Sequence, residues 1–360
     1  MIPKSIKRLR RQALAATLGQ PSSLARAIGA LGFVQADPIR SPARAQDLIL
    51  RHRVANYRAG ELERRFARLK LEEDFLYAYG FMPADTAALL HPRLDPAARN
   101  GRHEPNGLSA DVLDFVRRQG ETHPQDLLAR FGAERAINGW GGFSKATTRA
   151  LQALHYYGFL RVARRRDGIR VYEASRPCEA ALAADERLRC LLLLVLGILA
   201  PISKPSLRAT FALLRRGAPG LGPLEPSIQA LLATGAIERG EIDGEIYLWP
   251  ASLGQADDSA RRNMRFLAPF DPIVWDRRRF AHLWGWDYRF EAYTPMAKRR
   301  FGYYAMPLLW GDRMLGCVNL SVRGTKLDVE TIFVGREPKG RDFRRAMDME
   351  IARMEAFLDI

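Results

Sequence analysis

Gln35 and Asp37 are the residues whose types and spacing are best suited to chemistry. They lie two positions apart, and in an extended backbone such positions point to the same face. An amide and a carboxylate side by side can hold a water molecule between them, and the carboxylate can also stabilise a nearby cation. Pro38 disfavours a helical conformation at Asp37 and fixes the exit of the chain. The pair could therefore act on water or on positive charge.

The surroundings of this pair leave two interpretations open. Arg40 and Arg44 add positive charge within a segment that Pro42 restricts again, and both are candidate contacts for an anionic partner. In a structural interpretation, Gln35 and Asp37 instead satisfy local backbone groups, since Asp commonly caps turns. Spacing alone favours the structural interpretation, because a two-residue pattern often occurs by chance.

The composition is that of a globular protein with an anionic partner. The chain has 360 residues, of which 47% are hydrophobic and 27% charged, and this length allows two or three domains. The net charge is +16, mostly through arginine, which binds phosphate in a bidentate manner. We therefore expect nucleic acid as the partner, with an anionic membrane as the second choice.

Cysteine and histidine usage gives no sign of a metal site or a disulfide framework. Cys178, Cys190 and Cys317 form no CxxC pair, and no H-E-x-x-H motif is present. We expect no metal and no cofactor. The N-terminal segment predicts a basic amphipathic helix rather than a signal peptide, and the apolar run 191–200 is too short to span a bilayer. These features predict a cytoplasmic protein without membrane association.

The middle of the chain predicts three helices, two of which end at glycines. Their ranges are 109–119, 123–131 and 145–157. Ser144 is the expected N-cap of the third helix. Four residues at the start of this third helix are predicted DNA contacts: Ser144, Lys145, Thr148 and Arg149.

A β-hairpin follows the third helix. Strands over 159–162 and 169–172 flank Asp167-Gly168, a dipeptide typical of a type I′ turn. Three helices followed by a hairpin is the order of a winged helix-turn-helix. Consecutive arginines at the hairpin tip are expected to meet the DNA backbone: Arg164, Arg165 and Arg166.

The same plan repeats further along the chain. The repeat consists of helices over 185–200, 203–211 and 226–234, and strands over 236–239 and 245–249 around Asp243-Gly244. Its hairpin is acidic, so we expect it to pack between modules rather than against phosphate. The N-terminal helices and the strand 33–37 form a candidate degenerate first copy.

The last part of the chain is predicted to be mostly β. The expected elements are strands within 288–293, 300–309, 313–322 and 326–333, and a helix over 341–358. Asp271 and Asp276 are expected to be structural partners of arginines, and Trp275, Trp284 and Trp286 are expected to lie in the core.

The predicted fold class is therefore α+β, with tandem winged helix-turn-helix modules followed by a C-terminal β-rich domain. The expected modules cover 1–105, which holds the Gln35 and Asp37 pair, then 106–178 and 179–255, with the β-rich domain and its terminal helix in 256–360.

These motifs together resemble the AlkZ/YcaQ family of bacterial DNA glycosylases. The resemblance rests on the Val34-Gln35-Ala36-Asp37 segment with Arg44, the winged-helix repeats, and the run from Pro269-Phe270-Asp271 to Trp275-Asp276-Arg277. The segment from Lys298 to Tyr304 is also similar to the family's KR-x-YGYY motif. The resemblance implies winged helices around a DNA channel, a barrel-like C-terminal domain and excision of N7-alkylated purines. In some members it also implies unhooking of interstrand crosslinks.

The resemblance places Gln35 and Asp37 at the family's two catalytic positions, in its Q-x-D branch. Many members of that branch carry paired histidines soon after the motif, where this chain has Gln46-Asp47. The expected activity is that of a monofunctional glycosylase acting on double-stranded DNA, as a monomer in the bacterial nucleoid. Asp37 would stabilise an oxocarbenium-like sugar and activate water, and Gln35 would orient that water. No lysine lies beside the motif for a Schiff base.

A second functional class stays open at this stage. Winged helices also build transcriptional regulators that bind DNA without any catalysis. A regulator would need a ligand or dimer module, and the sequence shows neither an evident coiled coil nor a metal sensor. Release of free base from DNA that contains N7-methylguanine would distinguish the two classes.

Overall fold

The computed structural model describes residues 5–19, 21–93, 95, 101, 103–137, 143–175, 182–253 and 263–360. Cys178 lies outside these described residues. The chain forms two compact units. One consists of Met1–Leu62, Leu191–Phe211 and Pro223–Ile360, and the other of Glu63–Cys190 and Ala212–Gly222. Among the described helices, none combines the length and the apolar character that a membrane span requires.

The N-terminal elements of the first unit lead directly to the Gln35 and Asp37 segment. They are α1 (Ile6–Thr17), α2 (Leu24–Leu31), β1 (Val34–Gln35) and α3 (Ala45–Leu50). Side-chain oxygens of Ser5 and Ser23 accept backbone N–H groups at the starts of α1 and α2. Gly32 ends α2 in the left-handed region, where a side chain would be strained. The strand expected over 33–37 is only two residues long, and Asp37 lies beyond it.

The second unit contains the predicted helices and hairpin of the middle segment. After α4 (Glu61–Arg65), the elements are β2 (Leu71–Phe75), β3 (Tyr79–Pro83), α5 (Ala84–Ala88), α6 (Gly107–Gln119), α7 (Pro124–Phe131), β4 (Arg135–Ile137), β5 (Phe143–Lys145), α8 (Ala146–Tyr156), β6 (Leu160–Arg166) and β7 (Ile169–Ala174). Helix α8 contacts α6 and α7, and β6 pairs with β7. Asp167 and Gly168 both have positive φ, which confirms the predicted type I′ turn.

The predicted cap of the third helix is wrong. Ser144 lies in β5, which pairs with β4 in antiparallel register, so its backbone is held extended in a ladder. Helix α8 begins at Ala146, and Lys145 occupies the N-cap position without a side-chain capping bond. Ser144 was therefore a misleading signal for the start of the helix, because Ser144 and Lys145 pair with β4 as part of β5.

The repeat of helices and hairpin is also present. Its elements are α9 (Ala184–Ile198), β8 (Ile202–Ser203), α10 (Lys204–Gly217), α11 (Leu224–Ala233), β9 (Ile237–Ile242) and β10 (Glu245–Pro250). Strand β8, which the sequence analysis did not predict, pairs with β10 in the sheet order β8-β10-β9. Asp243 and Gly244 again have positive φ.

The C-terminal part is an open sheet with helices. Its elements are β11 (Met264–Phe266), α12 (Pro272–Trp275), α13 (Arg277–Trp284), β12 (Met306–Trp310), β13 (Arg313–Arg323), β14 (Lys326–Phe333) and α14 (Arg341–Leu358). The sheet order is β11-β12-β13-β14, and the described residues form no closed barrel. Helix α14 contacts both edge strands, β11 and β14, so a helix replaces the strand pairing that barrel closure would need.

The acidic hairpin packs inside the first unit, as its charge predicted. Glu245 pairs with Arg278 of α13 at 2.6 Å, and Asp243 lies 3.4 Å from His282 of the same helix. The Tyr247 side chain is buried in a cluster with α1 and α13 residues. This hairpin therefore serves packing between elements that are distant in sequence.

One predicted strand of the C-terminal part is absent, and another begins later than predicted. Residues 288–293 form no strand, and β12 begins at Met306 rather than at residue 300. The reason is the carboxylate of Glu291, which accepts the backbone N–H groups of Arg300, Phe301 and Gly302. These N–H groups are thereby satisfied in a loop and do not enter a sheet.

A buried ion pair joins the N-terminal elements to α12. The Arg53 guanidinium forms two hydrogen bonds with the Asp271 carboxylate, at 2.8 and 3.0 Å, and donates to the carbonyls of Thr17 and Ile49. The two side chains are 4% and 0% exposed. Asp271 also caps α12 by accepting the Ile273 N–H. This pair confirms the expected structural role of Asp271.

We expect Asp271→Ala to lower the free energy of unfolding by about 3–5 kcal/mol, because it leaves the Arg53 charge buried and unpaired. The measurement is the urea midpoint. Asp328→Ala is the matched control, since its pair with Arg323 is exposed and should change stability by at most about 1 kcal/mol. Equal losses in the two variants would contradict the structural role of the buried pair.

Candidate active site

Asp37 lies just beyond β1, with one carboxylate oxygen committed and the other available. Its Oδ1 accepts the Ile39 backbone N–H at 2.9 Å, so the structural interpretation of the motif holds for this oxygen. The residue is only partly exposed, and burial raises the pKa of its carboxyl while the Ile39 hydrogen bond opposes that change. A carboxylate with a raised pKa is a stronger base than an ordinary Asp side chain.

Gln35 supplies a second uncommitted oxygen at the end of β1. Its Oε1 atom is buried and has no hydrogen-bond partner in the described part of the chain. A buried amide oxygen without a partner costs free energy, so such an atom is uncommon unless a water or ligand satisfies it. The structural interpretation therefore accounts for Asp37 Oδ1 but not for Gln35.

Tyr304 is a third polar group at this site, and the sequence analysis gave it no role. The side chain is 3% exposed, and its hydroxyl has no partner among the residues that the structure describes. Burial raises its pKa well above the ordinary range, and the negative charge of Asp37 adds to the effect. The phenol thus stays protonated, with Asp37 close enough for its charge to act on it. The sequence signal was the position of Tyr304 at the end of the KR-x-YGYY-like segment.

Aromatic packing fixes the position of Tyr304. Its ring stands perpendicular to that of Phe290 at 5.4 Å between centroids, and Phe290 in turn packs edge-on against Phe270. Next along the chain, the Ala305 carbonyl accepts the Tyr288 hydroxyl at 2.7 Å. The hydroxyl of Tyr304 is therefore carried on a rigid support.

The remaining predicted site residues lie in both units. Arg40 is exposed, and Arg44 is half-buried at the N-cap position of α3 in the same unit as Asp37. In the second unit, Lys145 and Arg149 are exposed and Thr148 is half-buried, all in or next to the first turn of α8. Ser144 is fixed in β5.

The three hairpin arginines are not three free cations. Arg164 pairs with Glu121 at 2.7 Å, and Arg165 pairs with the fully buried carboxylate of Glu73. Arg166 is exposed and has no carboxylate partner among the described residues. The fold thus uses Arg165, and partly Arg164, for internal pairing, which the sequence analysis did not anticipate because Glu73 and Glu121 lie far away in the chain.

The arrangement around Asp37 suits acid-base chemistry on a water molecule. Over the described ranges, no group of three or more His, Cys, Asp or Glu side chains is arranged to hold a metal ion. What the site offers is a carboxylate oxygen, an amide oxygen and a protonated phenol, none of which has a hydrogen-bond partner among the described residues. The chain as a whole carries a net charge of +16.

The chain belongs to the AlkZ-like DNA glycosylase family, whose model matches residues 28–357. Among solved structures it is similar to the Streptomyces sahachiroi DNA glycosylase AlkZ, at 14% identity over 98% of this chain and 95% of that chain, with a TM-score of 0.62. At this identity the likeness shows a shared fold. The family match confirms the resemblance that the motifs indicated.

Because the pKa of Asp37 is raised, its ionised form should lower the stability of the folded state. The folded protein binds this proton more tightly than the unfolded chain, so the stabilising contribution is present below the ordinary pKa of 3.8 and is lost as pH rises through the raised value. Asp37→Asn keeps an oxygen for the Ile39 N–H and carries no charge. We expect its stability relative to wild type to increase between about pH 3 and pH 7.

The check is the thermal midpoint of both proteins over this pH range. Asp287→Asn serves as control, because Asp287 is exposed and the one partner of its carboxylate among the described residues is the exposed Arg289. A difference between Asp37→Asn and wild type that does not change with pH would contradict the burial of an ionised Asp37.

Proposed function

We propose that this protein hydrolyses the N-glycosidic bond of cationic N7-alkylated purines in double-stranded DNA and leaves the strand intact. The observation that carries the proposal is the Asp37 carboxylate, with a raised pKa and one oxygen that no described hydrogen bond uses, together with Gln35 Oε1 and the Tyr304 hydroxyl, which have no hydrogen-bond partner among the described residues. Membership in the AlkZ-like DNA glycosylase family supports it.

The chemistry needs one base and one source of negative charge. An N7-alkylated purine carries a positive charge, so it departs with the electron pair of the bond to C1′ as a neutral base and needs no proton. The sugar becomes oxocarbenium-like, and the Asp37 carboxylate stabilises that charge. A water oxygen then attacks C1′, and its proton passes to Asp37, which the raised pKa favours.

Gln35 and Tyr304 would hold the attacking water. The Gln35 amide oxygen accepts one hydrogen of this water, and the protonated phenol of Tyr304 donates to its oxygen or to the carboxylate. These groups add no charge, so the carboxylate stays the one anion of the set. No lysine flanks the motif in the sequence, which favours hydrolysis over a Schiff-base route that would cut the strand.

The helical modules would supply the binding surface for DNA. We propose that the two segments of helices and hairpin, with the N-terminal elements as a third copy, are tandem winged helices. The proposed phosphate and groove contacts are Arg40, Arg44, Lys145, Thr148, Arg149 and Arg166. Arg164 is a secondary contact, because it also pairs with Glu121. Arg165 would support this surface by stabilising the fold and would not contact phosphate, because it pairs with Glu73. A monomer in the bacterial nucleoid fits this arrangement, and crosslinked purines are candidate substrates because they share the N7 charge.

The Gln35 and Asp37 segment favours an enzyme over a transcriptional regulator. A half-buried carboxylate and two buried polar atoms without partners among the described residues each reduce stability, and DNA binding alone does not need them. An enzyme accepts that cost because substrate and water complete the hydrogen bonds. Family membership agrees with the enzyme.

We expect Asp37→Ala to slow base release by at least about 100-fold while DNA affinity stays close to wild type, because it removes the stabilising charge and the base together. Gln35→Ala should be milder, since a second water can partly replace the amide. The measurement is single-turnover release from N7-methylguanine duplexes, with binding measured separately. Asp287→Ala is the control for an exposed carboxylate. A folded Asp37→Ala protein that keeps most of its activity would exclude the assignment.

The charge of the leaving base should decide which lesions are released. N7-methylguanine and N3-methyladenine are cationic and should be excised, whereas uracil and 8-oxoguanine are neutral and should not, because the motif contains no second acid to protonate them. Bulk should matter less than charge. Matched duplexes with N7-methylguanine, a bulkier N7 adduct or uracil test this in single turnovers. Comparable rates on uracil would show that the enzyme activates its own leaving group.

A further inference from the structure

The segment from Glu291 to Gly302 is a loop whose two ends are joined by hydrogen bonds. We call these joined ends the neck. The buried Glu291 carboxylate accepts three consecutive backbone N–H groups, from Arg300, Phe301 and Gly302, at 2.9, 2.7 and 3.2 Å. Burial alone would raise the pKa of Glu291, but these three donors outweigh it and hold the pKa below the ordinary value. The neck is therefore fixed in one geometry.

Further contacts stiffen the rest of this loop, which we call the 291–302 loop. Arg299 donates from Nε to the Thr294 carbonyl at 2.8 Å and lies over the Tyr303 ring at 5.1 Å. Asn319 of β13 donates to the Phe301 carbonyl at 2.7 Å. A loop with such internal bonds can press against a partner without losing its shape.

The tip of the loop exposes two large apolar side chains. Tyr293 is 80% exposed and Met296 is 81% exposed, and Pro295 between them is exposed as well. Single exposed apolar residues are ordinary on protein surfaces. Two of them at the tip of a rigid loop form an apolar projection, which calls for a partner that can accept it.

The cations of the loop indicate the class of that partner. Lys298 and Arg300 are exposed, and neither they nor Arg299 pair with any carboxylate among the described residues. The one carboxylate of the loop, Glu291, is buried at the neck. An apolar tip with these cations beside it is complementary to a nucleic acid, whose bases have flat faces that stack on such side chains and whose backbone is anionic.

The loop is also tied to the catalytic residues. Phe290 at its start packs against Tyr293 at 6.1 Å and against Tyr304 at 5.4 Å between ring centroids. Tyr304 lies two residues beyond the neck, where the charge of Asp37 acts on its hydroxyl. Two ring contacts through Phe290 therefore link Tyr293 of the tip to Tyr304, on whose hydroxyl the charge of Asp37 acts.

We propose that the 291–302 loop is a wedge that enters the base stack next to the damaged nucleotide, with Tyr293 and Met296 as the inserted side chains and Lys298 and Arg300 on the flanking phosphates. Inserted apolar side chains kink a duplex and unstack one base step. Unstacking would open the damaged sugar to the water held by Asp37. The inference rests on the proposed function, because it assigns the wedge to the same lesion.

The test compares wild type with a double variant that carries both Tyr293→Ala and Met296→Ala. The substrate is a duplex with 2-aminopurine beside the lesion. The lesion is N7-methylguanine on a 2′-fluoroarabino sugar, which resists hydrolysis, so fluorescence reports unstacking alone. Wild type should raise the fluorescence, and the double variant should lose most of that rise. Met349→Ala on α14 is the matched control, because Met349 is exposed but lies outside the loop. Tyr293→Phe should behave as wild type, since stacking needs no hydroxyl.

Single-turnover release on the cleavable N7-methylguanine duplex gives the second readout. The double variant should be slower by about 5- to 100-fold, the range that lost base stacking produces. The same variant should recover most of its rate on a duplex that lacks the neighbouring base, where the stack is already open. Equal slowing on intact and opened duplexes, or wild-type fluorescence in the double variant, would overturn the wedge. If wild type releases no base, the proposed function fails, and the fluorescence still decides the wedge.

Discussion

Three consecutive residues, Arg51-His52-Arg53, hold the first unit together. Arg51 pairs with the fully buried carboxylate of Glu350 at 2.8 Å, His52 contacts the Phe266 carbonyl at 2.9 Å, and Arg53 binds Asp271. Burial and the neighbouring arginines lower the pKa of His52 well below its ordinary value, so this imidazole is neutral. A single turn after α3 thus determines how the N-terminal elements meet α14, β11 and α12. The relation of Asp37 to Tyr304 depends on that turn.

Local sequence signals predicted local structure well. The Asp167-Gly168 and Asp243-Gly244 turns follow from the few residues that tolerate positive φ, and the end points of α14 and β14 follow from their periodicity. The acidic second hairpin was correctly expected to pack against protein, because charge is a property of the hairpin itself. Gln35 and Asp37 could be proposed as the catalytic pair from their type and spacing together with a family resemblance.

Long-range pairing explains what the sequence could not predict. Alternating aromatics in 288–293 have the period of a strand, but a buried carboxylate from Glu291 satisfies N–H groups about ten positions away and makes a loop instead. The sequence predicted three phosphate contacts from three consecutive arginines, but two of them pair with carboxylates, Arg164 with Glu121 and Arg165 with Glu73. The Tyr304 hydroxyl has no partner among the residues that the structure describes, which is likewise a property of packing that no local pattern encodes.

The division of the chain into units has a consequence for its synthesis. The second unit is built from residues 63–190 with a short later piece, whereas the first needs both Met1–Leu62 and residues up to the end of α14. The N-terminal helices, with the buried faces of α1 and α2, leave the ribosome long before Glu350 and Asp271 exist. At about 5–20 residues per second they wait roughly 15–60 s for their partners. During that interval Arg51 and Arg53 remain solvated, and with the arginines of α1 these charges help to keep the apolar faces of α1 and α2 soluble until the chain is complete.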